Sequence, residues 1–144
     1  MNYLVISDTH IIGSKLINLI SRYPGYQIIH LGDAQDDLSF LKKMNAIVVR
    51  GNCDFEGKDE IILDSIYGKM LITHGHLYNV KNRYDNIYYR GLELNCKYIL
   101  FGHTHQALAQ DINGHYLLNP GSLKNGTYIL IEKGIPILKS YIRE

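Results

Sequence analysis

Three short apolar runs, separated by two helix-length segments, make the first third of the chain the part that most constrains its fold. Each run is bounded by turn residues, as is typical of buried strands. The predicted elements are strand Tyr3–Ile6, helix Ser14–Tyr23 capped by Ser14, strand Tyr26–Leu31, helix Asp37–Lys43 and strand Ala46–Val49. The expected buried stripe of the first helix is Leu16, Ile17, Leu19 and Ile20. This alternation predicts two right-handed crossovers and a parallel sheet.

The second half of the chain is dominated by hairpin signals. Asn113-Gly114 is a strong two-residue turn, and Tyr67-Gly68 and Lys133-Gly134 separate two further pairs of runs. The predicted strands are Glu60–Asp64, Lys69–Thr73, Tyr98–Phe101, Ala107–Ile112, His115–Leu118, Tyr128–Glu132 and Pro136–Ile142. Helical spacing of Val80, Tyr84, Ile87, Tyr88 and Gly91 predicts one more helix. Together the halves indicate an α/β (α+β) fold of two mixed, packed sheets flanked by helices, in one domain over residues 1–144.

Composition and charge exclude several classes of protein. Hydrophobic residues make up 46% of the 144 residues and charged residues 20%, as is typical of globular chains. The formal net charge of +1 and the scattered basic residues argue against stable nucleic-acid binding. Neither a signal peptide nor a membrane span is expected, and the two cysteines suit a reducing compartment. A cytoplasmic location is therefore predicted.

Polar residues that can bind a metal follow five of the predicted strands. Gly102-His103-Thr104-His105 follows Tyr98–Phe101, and two histidines one residue apart can place both imidazoles in one space. Each motif alone is more often an ordinary turn or loop. In open α/β sheets, however, ligands bind beyond the carboxyl ends of strands, where distant residues meet. The candidate ligands at these ends are Asp8, His10, Asp33, Asn52, His74, His103 and His105, with His76 nearby.

The types of ligand narrow the metal and the reaction. Carboxylate, imidazole and amide oxygen without thiolate favour Mn²⁺, Fe²⁺, Zn²⁺ or Ni²⁺ over Ca²⁺. Seven ligands are too many for one tetrahedral ion, but they suit two ions that share a carboxylate. Such a pair, about 3.5–4 Å apart, activates a water and holds both oxygens of an in-line displacement at phosphorus. The residues therefore predict a dinuclear phosphoester hydrolase.

The ordered motifs resemble those of the calcineurin-like metallophosphoesterase superfamily, and in particular its small YfcE-like phosphodiesterases. The matching blocks are Asp8-Thr9-His10, Gly32-Asp33, Gly51-Asn52-Cys53-Asp54, His74-Gly75-His76 and Gly102-His103-Thr104-His105. The resemblance implies a four-layer αββα sandwich with two divalent ions, Mn²⁺ being expected and Ni²⁺, Zn²⁺ or Fe²⁺ the alternatives. It implies one metal held by Asp8, His10, Asp33 and His105, and another held by Asp33, Asn52, His74 and His103. A metal-bridging hydroxide would attack the phosphorus of a small phosphodiester.

The resemblance also supplies the catalytic and substrate-binding candidates. Asp33, Asn52 and His76 are the catalytic candidates, and Asn52, Cys53 and His76 are the substrate-binding ones. Many members of the superfamily carry His where this chain has Cys53, and imidazolium is the better acid at neutral pH. Cys53 therefore favours diesters with good leaving groups over monoesters. His76 is expected either to contact phosphate or donate a proton, or to be an ordinary loop histidine.

A second departure from the family pattern follows Asn119-Pro120-Gly121-Ser122. Related proteins continue with a Pro-Arg pair, whereas this chain has Leu123-Lys124. Lys124 could contact phosphate, although a solvated turn residue is the favoured interpretation. The remaining residues are expected to have structural roles: His30 as packed, His115 as exposed, Cys96 as a small buried hydrophobe, and the tyrosines as helix packing. For the tyrosines, Tyr78, Tyr84, Tyr88 and Tyr89, stacking on the base of a nucleotide-derived substrate is the lesser alternative.

Three other functions compete with a phosphodiesterase. A metal-binding scaffold is one, because the retromer complex contains a subunit that resembles a degenerate phosphoesterase, although all seven ligand positions are filled here. A phosphomonoesterase is disfavoured by Cys53. A protein phosphatase is disfavoured by that residue and by the short chain. The family allows a homo-oligomer, but no residue pattern indicates one.

Overall fold

The computed structural model describes residues 1–10 and 13–141, and its strands form two five-stranded mixed sheets. The strands are β1 (Tyr3–Ile6), β2 (Gln27–His30), β3 (Ile47–Val48), β4 (Glu60–Ser65), β5 (Gly68–Thr73), β6 (Tyr98–Leu100), β7 (Leu108–Ile112), β8 (His115–Asn119), β9 (Thr127–Glu132) and β10 (Ile135–Ser140). The helices are α1 (Ser14–Ser21), α2 (Leu38–Lys43) and α3 (Asp85–Glu93), and 3₁₀ turns cover Gln35–Asp37, His76–Tyr78 and Leu123–Asn125. The predicted end of the last strand, Ile142, lies outside the described residues.

The first sheet has the strand order β10-β9-β1-β2-β3. Strands β1, β2 and β3 are parallel, as the strand–helix alternation predicted, whereas β9 and β10 add an antiparallel hairpin. The second sheet has the order β4-β5-β6-β8-β7, with β5, β6 and β8 parallel and antiparallel edge strands. The predicted hairpins at Asn113-Gly114 and Lys133-Gly134 are both present.

Three hydrophobic clusters confirm the four-layer arrangement. The cluster between the sheets joins side chains from both, among them Val5, Ile29, Ile72 and Leu100. On the outer face of the first sheet, residues of α1 and α2 pack against strand residues, and on the outer face of the second sheet α3 does the same. In that layer Gly91 of α3 approaches the Ile99 side chain so closely that an added Cβ would lie 2.4 Å from it.

The first helix departs from the sequence prediction at both ends and on one face. Gly13, not Ser14, is the N-cap, and no side chain caps this end. The helix ends at Ser21, two residues before the predicted end. Ile17 is 49% exposed, although it was predicted to be buried. Each residue turns the helix by about 100°, so Ile17 lies well to the side of the stripe centred on Leu16 and Ile20.

The helix of the second half, α3, begins at Asp85, later than predicted. Val80 and Tyr84, which were predicted to lie in it, precede it. Val80 is nevertheless buried against the second sheet. Within the described residues, no helix has the length and apolar character needed to cross a membrane.

Candidate metal centre

The candidate ligands lie in the loops that follow β1, β2, β3, β5 and β6, at one shared edge of the two sheets. Five of them adopt a left-handed backbone, with φ between 48° and 69°. Such a conformation is uncommon for residues other than Gly and costs about 1–3 kcal/mol each, so it persists only where surrounding contacts impose it. The five are Asp8, His10, Asp33, His103 and His105.

The first convergent set of donor atoms comes from Asp8, His10, Asp33 and His105. His10 Nε2 lies 3.8 Å from Asp8 Oδ1 and 3.8 Å from Asp33 Oδ2. His105 Nε2 lies 3.3 Å from the same Asp8 oxygen. The structure thus brings together the four residues that were predicted to share one metal.

The second convergent set surrounds His74 Nε2. This nitrogen lies 3.3 Å from Asp33 Oδ2, 3.0 Å from Asn52 Oδ1 and 3.2 Å from His103 Nδ1. Asp33 Oδ2 therefore belongs to both sets. His74 Nε2 also lies 3.8 Å from Asp8 Oδ1 of the first set, so the two sets adjoin and the division of the ligands between two metals stays a prediction.

The spacing and burial of these atoms fit divalent cations. Donors that are each about 2.1 Å from one ion lie about 3–3.5 Å apart, close to the observed separations. Asp8 Oδ1 and His10 Nε2 are buried and have no hydrogen-bond partner among the described residues. Buried polar atoms are nearly always paired, so two unpaired atoms that face each other are suited to a cation.

Hydrogen bonds behind the ligands select which atom of each side chain faces the centre. His74 Nδ1 lies 2.7 Å from the carbonyl oxygen of Leu31, and His10 Nδ1 lies 3.2 Å from Gln35 Oε1. Both acceptors require an N–H at Nδ1, which leaves each Nε2 with its lone pair. Asp8 Oδ2 accepts bonds from the Ser7 hydroxyl and the backbone N–H of His103, so Oδ1 faces the centre.

Two glycines permit the close approach of the loops. A Cβ at Gly51 would lie 2.1 Å from Asp33 Oδ1, and a Cβ at Gly102 would lie 2.1 Å from Ser7 Oγ. Neither contact is sterically possible. Glycine at these positions therefore lets one loop pass directly over the carboxylates of the next.

Asp54 organises the loops although sequence reasoning gave it no role beyond its motif. Its Oδ2 accepts the backbone N–H of Asp33 and of Gly51, at 2.7 and 2.8 Å, and its Oδ1 accepts that of Gln35 at 2.9 Å. One carboxylate thus ties the loop after β2 to the loop after β3. In the sequence, the only indication of this role is the presence of a carboxylate three residues after Gly51.

Asn119 and Ser122 hold the ligand loops in place through hydrogen bonds. Asn119 Nδ2 donates to the carbonyl oxygen of Gly102 and to Thr104 Oγ1, at 3.1 and 2.9 Å. Ser122 Oγ donates to the carbonyl oxygen of Asp8 at 2.8 Å. Both are fully buried. Lys124, which follows this segment, is exposed, in agreement with the favoured interpretation as a solvated turn residue.

The protonation equilibria reflect burial and the two carboxylates. Burial alone would raise the pKa of Asp33, but the approach of His74 and the N–H of Cys53 outweigh it and lower this pKa. Burial opposes charge on His74, yet Asp33 and Asp8 together raise its pKa. Burial and the nearby His74 lower the pKa of His103 to about 4. Asp33 is therefore a carboxylate and His103 a neutral imidazole at neutral pH, which are the forms that bind metals.

Cys53 and His76 lie beside the two sets. Cys53 is exposed, and its sulfur belongs to a group with His10 and Asp33 whose ligand atoms all lie within 4.8 Å of one another. Partial desolvation and the Asp33 charge raise the pKa of its thiol. The His76 ring lies 5.4 Å from that of His74 and 6.2 Å from that of His103, between ring centroids. Two of the three predicted substrate-binding side chains thus border the centre, and the third, Asn52, belongs to the second set.

Most of the residues that were expected to have structural roles show the burial and packing that were predicted for them. His30 is fully buried between Thr9 and Gly32, and Cys96 is buried. Tyr78, Tyr84 and Tyr88 pack into the outer cluster beside α3, whereas Tyr89 is exposed. His115 was predicted to be exposed, which is wrong. It is half-buried because its Nδ1–H donates to the carbonyl oxygen of Cys96 and its ring packs edge-on against Tyr88.

Comparison with known proteins identifies the family. The model of the calcineurin-like phosphoesterase superfamily domain matches residues 1–132, and the chain belongs to this superfamily. It is 39% identical over 128 residues to the protein named "Probable metallophosphoesterase YsnB" of Bacillus subtilis (strain 168), over 86% of this chain and 76% of that protein.

Solved structures share the fold at lower identity. Entamoeba histolytica Vps29 complexed with Zn²⁺ has a TM-score of 0.79 at 20% identity, covering 96% of this chain and 89% of that one. A novel archaeal phosphodiesterase has a TM-score of 0.78 at 19% identity, covering 97% and 99%. YfcE, a phosphoesterase from E. coli, has a TM-score of 0.68 at 21% identity, covering 92% and 89%. The expected likeness to YfcE is confirmed at the level of the fold.

Proposed function

We propose that this chain is a metal-dependent phosphodiesterase with two divalent cations, Mn²⁺ first among the candidates. The observation that carries the proposal is the pair of donor sets that share Asp33 Oδ2. Asp8, His10 and His105 complete one set, and Asn52, His74 and His103 complete the other. Membership of the phosphoesterase superfamily supports the reaction class.

The cations and the side chains have separate tasks. Two bound cations would lower the pKa of a water between them and offset the charge of a phosphate. The chain fixes their ligands before substrate arrives, through the bonds that Leu31, Gln35 and Asp54 make. Preorganised charge of this kind is the largest contribution to many hydrolytic reactions. Asn52, a member of the second set, and His76, which borders it, are positioned to contact phosphate oxygens.

The preference for diesters rests on Cys53. Its thiol lies beside the first donor set, where family members with His would have an imidazole, and its raised pKa keeps it uncharged. A thiol is a weaker proton donor than imidazolium at neutral pH. We therefore expect diesters with good leaving groups to be hydrolysed faster than monoesters.

Metal-stripped protein tests the proposal when titrated separately with Mn²⁺, Ni²⁺, Zn²⁺ and Mg²⁺. Hydrolysis of bis-p-nitrophenyl phosphate should appear on titration and saturate near two metals per chain. Faster turnover of p-nitrophenyl phosphate under the same conditions would contradict the diester preference. Saturation at one metal would contradict the two-cation site.

A metal-binding scaffold is the second candidate, because Vps29 structures share this fold and one of them holds zinc. The same titration separates the two functions. Tight binding of two metals without hydrolysis of either ester would favour the scaffold and overturn the phosphodiesterase.

A further inference from the structure

We infer that the cleft beside Cys53 receives one ester group of the substrate, and that this group is a flat, uncharged ring such as a nucleobase, which stacks on Phe55. The inference rests on the proposed phosphodiesterase function and adds a substrate class to it.

The cleft lies next to the metal centre, with which it shares neighbouring residues. It has a volume of about 210 Å³ and lies between the loop after β3 and the 3₁₀ turn Gln35–Asp37. Cys53 and Gln35 line it. Cys53 also borders the first donor set, and Gln35 accepts a hydrogen bond from His10. A group bonded to a phosphate at the centre and pointing past Cys53 therefore enters this cleft.

Phe55 gives the cleft an aromatic wall. Its side chain is fully exposed, whereas the loop that carries it is fixed by the bonds of Asp54 to Asp33 and Gly51. Leu38 adds apolar surface to the lining. Because the loop backbone is already fixed, stacking orders only the two side-chain torsions of the ring. Stacking of a base on such a ring strengthens binding about fivefold to hundredfold.

The charges around the cleft select against a second anionic group. Asp36 and Glu56 line it, and Lys42 pairs with Glu56 at 3.1 Å and so offsets only that charge. The Asp54 carboxylate adds a further negative charge to the wall. Like charges repel a substrate that carries another phosphate or carboxylate in this position. An uncharged ring meets no such penalty.

Two esters with the same leaving group test the inference. The p-nitrophenyl ester of thymidine 5′-monophosphate and methyl p-nitrophenyl phosphate both release p-nitrophenolate, which an in-line displacement places opposite the attacking water. The two esters therefore differ only in the other ester group, which is the one that we infer enters the cleft. F55A should lower kcat/KM for the thymidine ester about tenfold, mainly through KM, and change that for the methyl ester by less than about twofold. F55Y, which keeps the ring, should restore the preference.

Ile66→Ala is the matched control, because Ile66 is also exposed but lies in the turn between β4 and β5 at the opposite sheet edge. This variant should leave kcat/KM unchanged for both esters. Binding is read independently by NMR in protein loaded with Zn²⁺, which is diamagnetic and supplies the cations that hold the phosphate: with only three phenylalanines in the chain, the Phe55 ring signals are readily assigned. They should shift when the thymidine ester is added.

The outcomes separate the two proposals. Equal effects of F55A on both esters, or none on either while both are hydrolysed, would overturn the stacking inference. Hydrolysis of neither ester with any of the four metals would overturn the phosphodiesterase instead. In that case the NMR titration still decides whether Phe55 stacks, and unshifted ring signals would refute it.

Discussion

The two ends of the parallel strands in the sheets contrast in how their loops are built. At the metal-centre edge, left-handed backbone falls on aspartates and histidines, and the loops are held by contacts between distant residues. At the opposite edge, hairpin turns such as Asn113-Gly114 use residues that adopt this backbone readily. Gly114 there is fixed by Asp111, three residues away. Strained backbone is therefore concentrated where ligand side chains must converge, whereas among the hairpin turns at the opposite edge it falls on Lys133, with φ of 52°.

The largest expected effect is at the carboxylate shared by both donor sets. Asp33→Asn should lower metal affinity by more than about 100-fold at both sites, since removing even a supporting group costs 10–100-fold. His10→Ala should mainly weaken one site. Metal content measured after dialysis checks both, and a D33N protein that retains two metals would refute the shared role of Asp33.

Paired glycine substitutions test the contrast between the edges directly. Gly51→Ala places a methyl group on Asp33 and should reduce metal affinity about 100-fold and destabilise the fold by about 1–3 kcal/mol. Gly114→Ala meets no atom within 4 Å, so only its φ of +85° costs stability, about 1–2 kcal/mol. Calorimetric metal titration should show a lower metal affinity for the Gly51→Ala variant than for the Gly114→Ala variant. Equal metal affinities would contradict the packing argument.

A matched pair of aspartates sharpens the comparison. Asp54→Asn loses one of two acceptor oxygens that together bind three backbone N–H groups, and should weaken metal binding about 10–100-fold. Asp111→Asn keeps the one oxygen that the Gly114 N–H requires and should leave metal binding unchanged. A similar loss of affinity in both variants would show that the effect is not specific to the site loops.

The smallest expected effect concerns His30, whose complete burial lowers its pKa to about 4 from an ordinary 6.5. Above pH 6.5 it is neutral whether folded or unfolded. As the pH falls from 6.5 towards 4, the unfolded chain binds a proton that the folded chain excludes, so stability is lost, by about 2 kcal/mol at pH 5.

Urea unfolding of metal-stripped protein at about pH 7.5 and about pH 5 measures this loss. His30→Asn should lose about 2 kcal/mol less than the wild type over that interval. His115→Gln, at the opposite edge, is the control. Identical losses in wild type and H30N would show that His30 does not carry this pH dependence.

Much of the fold and the candidate ligands could be predicted from local patterns. The apolar run Tyr3–Ile6 is a buried strand as expected, and Asn113-Gly114 is a hairpin turn. The predictions were wrong where the surrounding residues, and not the local sequence, determine how exposed a side chain is. Ile17 is exposed because it lies to the side of the buried stripe of α1, and His115 is half-buried because Tyr88 and Cys96 lie beside it.

The sequence by itself determined the order of the strands and helices and the kinds of ligand that follow the strands, because apolar periodicity and turn chemistry act over a few residues. Only the tertiary structure decided which atoms meet. Asp8 accepts a bond from His103, 95 residues away, and Asp54 joins two loops through their backbones. Such contacts depend on the packing of whole strands, so they hold Asp8 and Asp33 in a left-handed backbone that the local sequence permits but does not require.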